Sequence, residues 1–126
     1  MIQRVLMKIA VVGPRDFKSP EYLFKTLDAH IDIIQDIVII SGGTKGVDSI
    51  AKQYATACGY QYMEFKPDWQ QFGLGAGLIR NTAIVEACDV LIAFWDEKSK
   101  GTQDAINKAK KLNKKLIVMP CANNIS

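Results

Sequence analysis

Ile37-Val38-Ile39-Ile40, followed by Ser41-Gly42-Gly43-Thr44-Lys45-Gly46-Val47-Asp48, decides the fold. Four consecutive β-branched residues read as a buried strand. Ser41-Gly42-Gly43 stops it. Val47, Ile50, Ala51, Tyr54, Ala55 and Cys58 then share one face of a helix that Gly59 caps. A strand passing through a glycine-rich turn into an amphipathic helix is one βα unit.

The same alternation repeats on both sides. Upstream, Lys8–Val12 (KIAVV) is a short strand that stops at Gly13-Pro14. Ser19-Pro20 reads as N-cap and first helical residue, with Leu23, Phe24, Leu27 and Ile31 at helical spacing. Downstream, Tyr60–Phe65 is a less apolar strand, and Pro67–Gly75 reads as a loop. A helix follows, with Ala76, Ile79, Ala83, Ile84 and Ala87 inward. Val90–Phe94 (VLIAF) is the fourth strand and Asp96–Lys100 a polar loop. A helix from about Gly101-Thr102 buries Ala105, Ile106, Ala109 and Leu112. Leu116–Met119 (LIVM) is the fifth strand, stopped by Pro120, and Cys121–Ser126 reads as a frayed tail. Apolar strands alternating with helices predict a parallel sheet covered on both faces. The expected fold is a Rossmann-like three-layer α/β/α domain with a five-stranded parallel sheet, one domain over residues 1–126, with right-handed crossovers.

Composition narrows the function. Of 126 residues, 16 are Lys or Arg and 13 Asp or Glu, so the net charge is +3; 48% are hydrophobic. These values fit a globular chain and exclude a disordered one. A charge of +3 suits an anionic small molecule and argues against nucleic acid as a partner. No apolar run approaches the roughly 18 residues of a membrane helix. Met1–Lys8 lacks a signal peptide's cleavage site, and Met7 is an alternative start. Cys58, Cys88 and Cys121 are an odd count without a CxxC pair, so reduced thiols in a cytoplasmic protein are expected. His30 is the only histidine and reads as structural; neither a metal site nor a cofactor is expected.

In such a sheet, ligands bind beyond the carboxyl ends of the strands, at the switch in strand order. The first end offers Gly13, Arg15, Asp16 and Phe17. The second offers Ser41, Gly42, Gly43, Thr44, Lys45 and Gly46 at the start of a helix, which suits a phosphate or ribose. Neither GxxxxGK[ST] nor GxGxxG is present, so nucleoside triphosphatase and dehydrogenase readings lack support. Asp48 either caps its helix or points toward a ribose hydroxyl. At the third end, Trp69 either stacks on a base or anchors the loop, and Gly73, Gly75 and Gly77 follow within five residues. Arg80 sits near the inward stripe and needs an anionic partner: a ligand phosphate, or a carboxylate such as Asp16 or Asp89. Ser99, Gly101 and Thr102 open a second helix at the same edge. Lys108, Lys110, Lys111, Lys114 and Lys115 read as a solvated helix face.

Together Val11–Phe17 (VVGPRDF), Ser41–Asp48 (SGGTKGVD), Pro67–Trp69 (PDW), Ile79–Asn81 (IRN), Cys88–Asp96 (CDVLIAFWD) and Ser99–Thr102 (SKGT) resemble the YspA-like branch of the SLOG superfamily. That superfamily also holds the LOG phosphoribohydrolases and the DNA-processing protein DprA. The resemblance covers about Lys8 to Met119. It implies a nucleotide-like small-molecule ligand, a nucleoside monophosphate or an ADP-ribose derivative, and a homo-oligomer. For such a ligand, Gly42, Gly43, Thr44, Gly101 and Thr102 are expected on phosphate, Arg80 paired with it, Arg15, Asp48 and Asn81 on ribose or base, and Trp69 or Phe17 stacking.

LOG enzymes cleave the N-glycosidic bond of nucleoside monophosphates, using an Arg-Lys pair and a PGGxGTxxE loop. Here Arg80-Asn81 replaces Arg-Lys, the PGG is absent, and Ala105 stands at the glutamate position. Ala105 cannot stabilise an oxocarbenium-like sugar. Asp104 lies about 100° around the helix from that position. The chain is therefore expected to bind or sense a nucleotide. The alternatives are a hydrolase using Asp48 or Asp96, and a DNA-binding protein by analogy with DprA. A scaffold whose glycines serve only turns is the plainest possibility.

Overall fold

The computed structural model describes residues 6–32 and 36–121. In chain order the elements are β1 (Leu6–Val12), α1 (Pro20–His30), β2 (Asp36–Ser41), α2 (Val47–Cys58), β3 (Gln61–Glu64), α3 (Trp69–Phe72), a 3-10 turn at Gly73–Gly75, α4 (Ala76–Ala87), β4 (Val90–Trp95), α5 (Lys100–Lys111) and β5 (Lys115–Pro120). The five strands form one parallel sheet in the order β3-β2-β1-β4-β5. This is a Rossmann-like α/β fold. The order reverses between β1 and β4, which opens a crevice beyond Val12 and Trp95.

The central strands β1, β2 and β4 feed two cores because their side chains alternate. Ile9, Val11, Ile39, Ile92 and Phe94 face α1 and α2, where Leu23, Leu27, Val47 and Tyr54 are buried. Ala10, Val12, Ile40, Leu91 and Ala93 face α4 and α5, meeting Ile84, Val85, Ala105, Ile106 and Ala109. Small Ala10 and Ala93 let the second helix pair approach closely. Among the described residues no helix is long and apolar enough to cross a membrane.

Local signals act as their chemistry dictates. Ser19 Oγ accepts from the Tyr22 N–H and caps α1, with Pro20 as first helical residue. Gly59, at φ 73°, closes α2. His30 Nδ1 hydrogen-bonds the Thr26 carbonyl, a structural contact.

Four expectations shift. The stretch expected as a loop contains α3, capped by Asp68, and the 3-10 turn. α4 buries Ala76, Asn81, Ile84 and Val85, whereas Ile79 is exposed; the stripe turns because Asn81 faces the start of α5. Leu112 caps the end of α5 and is exposed. Lys108 and Lys114 are not simply solvated: Lys108 Nζ donates to Leu78 O, tying α5 to α4, and Lys114 Nζ, in the turn after α5, donates to Glu86 O and Cys88 O at the end of α4. The predicted tail from residue 122 onward lies outside the described residues, as do the first five residues.

Cys88 ends α4 in the core, and burial pushes its thiol up to about 11. Cys121 is likewise raised to about 11, by burial and then by Asp96 and Asp16. A thiol raised above its unfolded value of 9.0 stabilises the fold fully below pH 9, and that contribution disappears as pH rises through 11. Chemical unfolding at pH 8 and 11 should show an alkaline loss on the order of 2 kcal/mol for Cys88. Cys88→Ala should remove that part of the pH dependence; an unchanged profile would refute the assignment.

Candidate functional site

A cavity of about 500 Å³ occupies the switch point. Its floor is the end of β1, Val12 and Gly13. One wall is the β1–α1 turn with Arg15 and Asp16; another is Gly42, Thr44 and Asp48; α4 contributes Arg80, Asn81 and Ile84; the entry to α5 contributes Asp96, Lys98, Ser99, Gly101 and Thr102. Three loops and one helix that are far apart in sequence thus converge.

The β2–α2 turn is held open by its own contacts. Gly46 has φ +72°, and a Cβ there would lie 2.5 Å from the Arg15 carbonyl oxygen. Only glycine lets this turn run against the β1–α1 loop, where Pro14 O accepts from Val47 N–H. Asp48 Oδ2 accepts from the Thr44 N–H at 3.2 Å and from Thr44 Oγ1 at 2.5 Å. Asp48 is nearly buried and lines the cavity, so it both fixes the turn and presents a carboxylate. Ser41 Oγ lies 2.5 Å from the Tyr62 hydroxyl, and Ser41, expected at the ligand, is outside the cavity lining. Burial chiefly pushes Tyr62 up to about 12, keeping that hydroxyl protonated.

Arg80 is the centre of the site. Its Nη1 donates to Gly42 O and its Nε to Asn81 Oδ1, both at 3.0 Å. Both acceptors are neutral. No carboxylate among the described residues forms an ion pair with it; of the carboxylates expected as partners, Asp89 accepts from the Lys8 N–H instead. Burial lowers its pKa, Asp48 opposes that shift, and Arg15 adds to it. The guanidinium is a half-buried positive charge, and the nearby Asp48 carboxylate is its largest charged influence.

Asn81 has a different place from the one expected. Its Nδ2 donates to Gly101 O and Asp104 Oδ2, each at 3.2 Å, while Oδ1 accepts from Arg80. Both amide protons are committed within the protein, so Asn81 orients Arg80 while it lines the cavity. Lys108 Nζ holds Asp104 at 2.9 Å. Asn81→Leu should keep the fold but free the guanidinium, and the Arg80 Nε–H should then exchange with solvent at least ~10-fold faster by NMR. Unchanged exchange would remove the positioning role.

At the start of α5, Ser99 Oγ accepts from the Thr102 N–H, and Asp96 Oδ1 accepts from the N–H groups of Lys98 and Ser99. Asp96 thus shapes the loop. The other predicted residues separate. Phe17 is buried against Tyr22 and Phe94, with centroids 6.2 and 5.1 Å away, so it belongs to the core and not to a stacking surface. Gly43 lies against Glu64, outside the lining. Trp69 begins α3, half exposed, with its ring tip over Gly77. Lys98 and Ile84 line the cavity and were not singled out as site residues; the only hint of Lys98 was its position after the fourth strand.

The comparisons agree with this architecture. The Gene 61 protein of Mycobacterium phage D29 is 33% identical over 113 residues, covering 84% of this chain and 90% of the relative. The DNA processing protein A of Helicobacter pylori is 25% identical, with a TM-score of 0.69 over 95% of this chain and 68% of that one. DprA of Streptococcus pneumoniae shares the fold at a TM-score of 0.71 and 19% identity; this chain covers 93% of itself and 51% of that protein. The Helicobacter protein is described as binding single-stranded DNA. The expectation that nucleic acid is not a partner is therefore withdrawn. Net charge averages over the whole surface, whereas Arg15, Arg80 and Lys98 gather in one crevice. Residues 7–72 match the model of the YAcAr family, described as the YspA, cpYpsA-related SLOG family, and the chain belongs to that family.

Proposed function

We propose that the crevice binds the phosphate of a nucleotide or nucleotide-derived ligand, and that the protein acts as a binding or sensing module. One observation carries the reading. Arg80 is a half-buried cation whose hydrogen bonds go to two neutral oxygens, with Asp48 near it but not in an ion pair and Arg15 as a second cation on the cavity wall. Asp48 offsets only part of the cost of burying such a charge, and a phosphate offers several acceptors to its remaining donors. The starts of α2 and α5 supply the positive ends of two helix dipoles at the same edge. Asp48 suits a ribose hydroxyl as a hydrogen-bond acceptor.

Calorimetric titration with ribose 5-phosphate tests this reading. Saturable binding that weakens with added inorganic phosphate is expected; no heat at millimolar ligand would end it. A nucleotide phosphate within single-stranded DNA meets the same cations, and its binding should fall with rising salt.

A second reading, hydrolysis of the nucleotide's N-glycosidic bond, is favoured by Asp48, a nearly buried carboxylate lining the crevice. Release of free base by wild-type protein, abolished in a folded Asp48→Asn variant, would establish it. Absence of base release would leave binding alone.

A further inference from the structure

We infer that Trp69 and the bare helix surface at Gly77 form a base-stacking subsite at the mouth of the phosphate crevice; this rests on the phosphate reading of Arg80. Gly77, Arg80, Asn81 and Ile84 lie three, four and seven residues apart, so they share one face of α4. Arg80, Asn81 and Ile84 line the crevice. Gly77 continues that same wall one turn outward, roughly 4.5 Å along the axis from Arg80.

The gap over Gly77 is open except for one group. A Cβ built there would meet only the Cη2 of Trp69, at 3.9 Å. The indole therefore leans over the continuation of the crevice wall. It is not sealed into a core, being 52% exposed. Asp68 fixes its approach by accepting from the Gln71 N–H and capping α3. An exposed indole against Gly77, which lies one turn from Arg80 on the same helix face, matches a ligand with an aromatic base at one end and a phosphate at the other. The ribose between them would pass the rim. This chemistry belongs equally to a free nucleoside monophosphate and to the 5′-phosphorylated end of a single strand.

The test compares adenosine 5′-monophosphate with ribose 5-phosphate on wild-type, Trp69→Ala and Trp69→Phe proteins. Stacking on an aromatic side chain should make the wild type favour the nucleotide by ~10-fold or more. Trp69→Ala should bring the two affinities within about twofold by raising the Kd of the nucleotide alone, and Trp69→Phe should retain most of the preference. Equal affinities in wild type, or equal weakening of both ligands by Trp69→Ala, would overturn the subsite while leaving the phosphate reading intact. Failure of both ligands to bind wild type would overturn the phosphate reading and the subsite with it. A 5′-phosphorylated oligonucleotide then separates the sources. Tighter binding than the monophosphate, lost without the 5′-phosphate, identifies a strand end; weaker binding identifies the free nucleotide. Both results support the subsite, provided that Trp69→Ala weakens the preferred ligand.

Discussion

Arg80→Met should weaken ribose 5-phosphate binding by about 100-fold while changing stability by less than about 1 kcal/mol. The two halves of that expectation have separate causes. The ligand loses its charge-assisted hydrogen bonds, each worth about 1.5–3 kcal/mol in such a setting. The fold loses two hydrogen bonds, to Gly42 O and Asn81 Oδ1, at about 1 kcal/mol each. It also sheds a half-buried charge whose desolvation outweighs the attraction of Asp48, which offsets most of that cost. Arg80→Lys should fall between, near ~10-fold weaker, because it keeps the charge but not the planar fork. Calorimetry and urea unfolding on the same samples measure both halves. Wild-type affinity in Arg80→Met would move the anion site elsewhere, and a large stability loss would mean that Arg80 is chiefly structural.

The elements were legible where local chemistry governs. Ile37–Ile40 can hardly be other than a strand between two covered faces, and Ser19-Pro20 and Gly59 mark helix ends by their backbone preferences alone. The crevice position followed from the switch-point rule once the alternation was read. What stayed hidden depends on distant partners. Asn81 reads as a polar residue beside an arginine, yet its role is set by Gly101 and Asp104, 20 and 23 residues further on. Phe17 follows two charged residues in a loop. The Phe17 N–H donates to Pro14 O, and its ring packs on Phe94 from another strand. Lys108 looks like one lysine of a basic run until its Nζ is found on Asp104 and Leu78 O.

Arg80 illustrates both sides. Helical spacing placed it near the inward stripe, and the cost of burying its charge pointed to an anion. The structure sets Gly42 O and Asn81 Oδ1 against the guanidinium and brings Asp48 near it, partners that helical spacing alone does not reveal.

Three glycines that look alike in the sequence should respond in three ways to alanine. Gly46→Ala should cost about 3 kcal/mol or more, the largest stability effect expected in the chain. Its φ of +72° is unfavourable for alanine, and the new methyl would collide with the carbonyl oxygens of Pro14 and Arg15, which are backbone and cannot swing aside. For a domain held by about 5–15 kcal/mol, that is a shift of many degrees in melting temperature. Gly42→Ala should fold but lose the ligand. Its methyl falls on the Arg80 guanidinium, 2.8 Å from Cζ, and a flexible side-chain end yields before the backbone does. Gly101→Ala should be neutral or stabilising by about 0.5 kcal/mol, since nothing lies within 4 Å and alanine favours the first turn of α5. Urea unfolding ranks the three for stability, and ribose 5-phosphate titration ranks them for binding. The two rankings should differ, with Gly46→Ala failing the first and Gly42→Ala only the second. If Gly46→Ala unfolds at the wild-type urea concentration, the close passage of the two loops is wrong. If Gly42→Ala binds as wild type does, Arg80 does not hold the ligand from the position it takes beside Gly42.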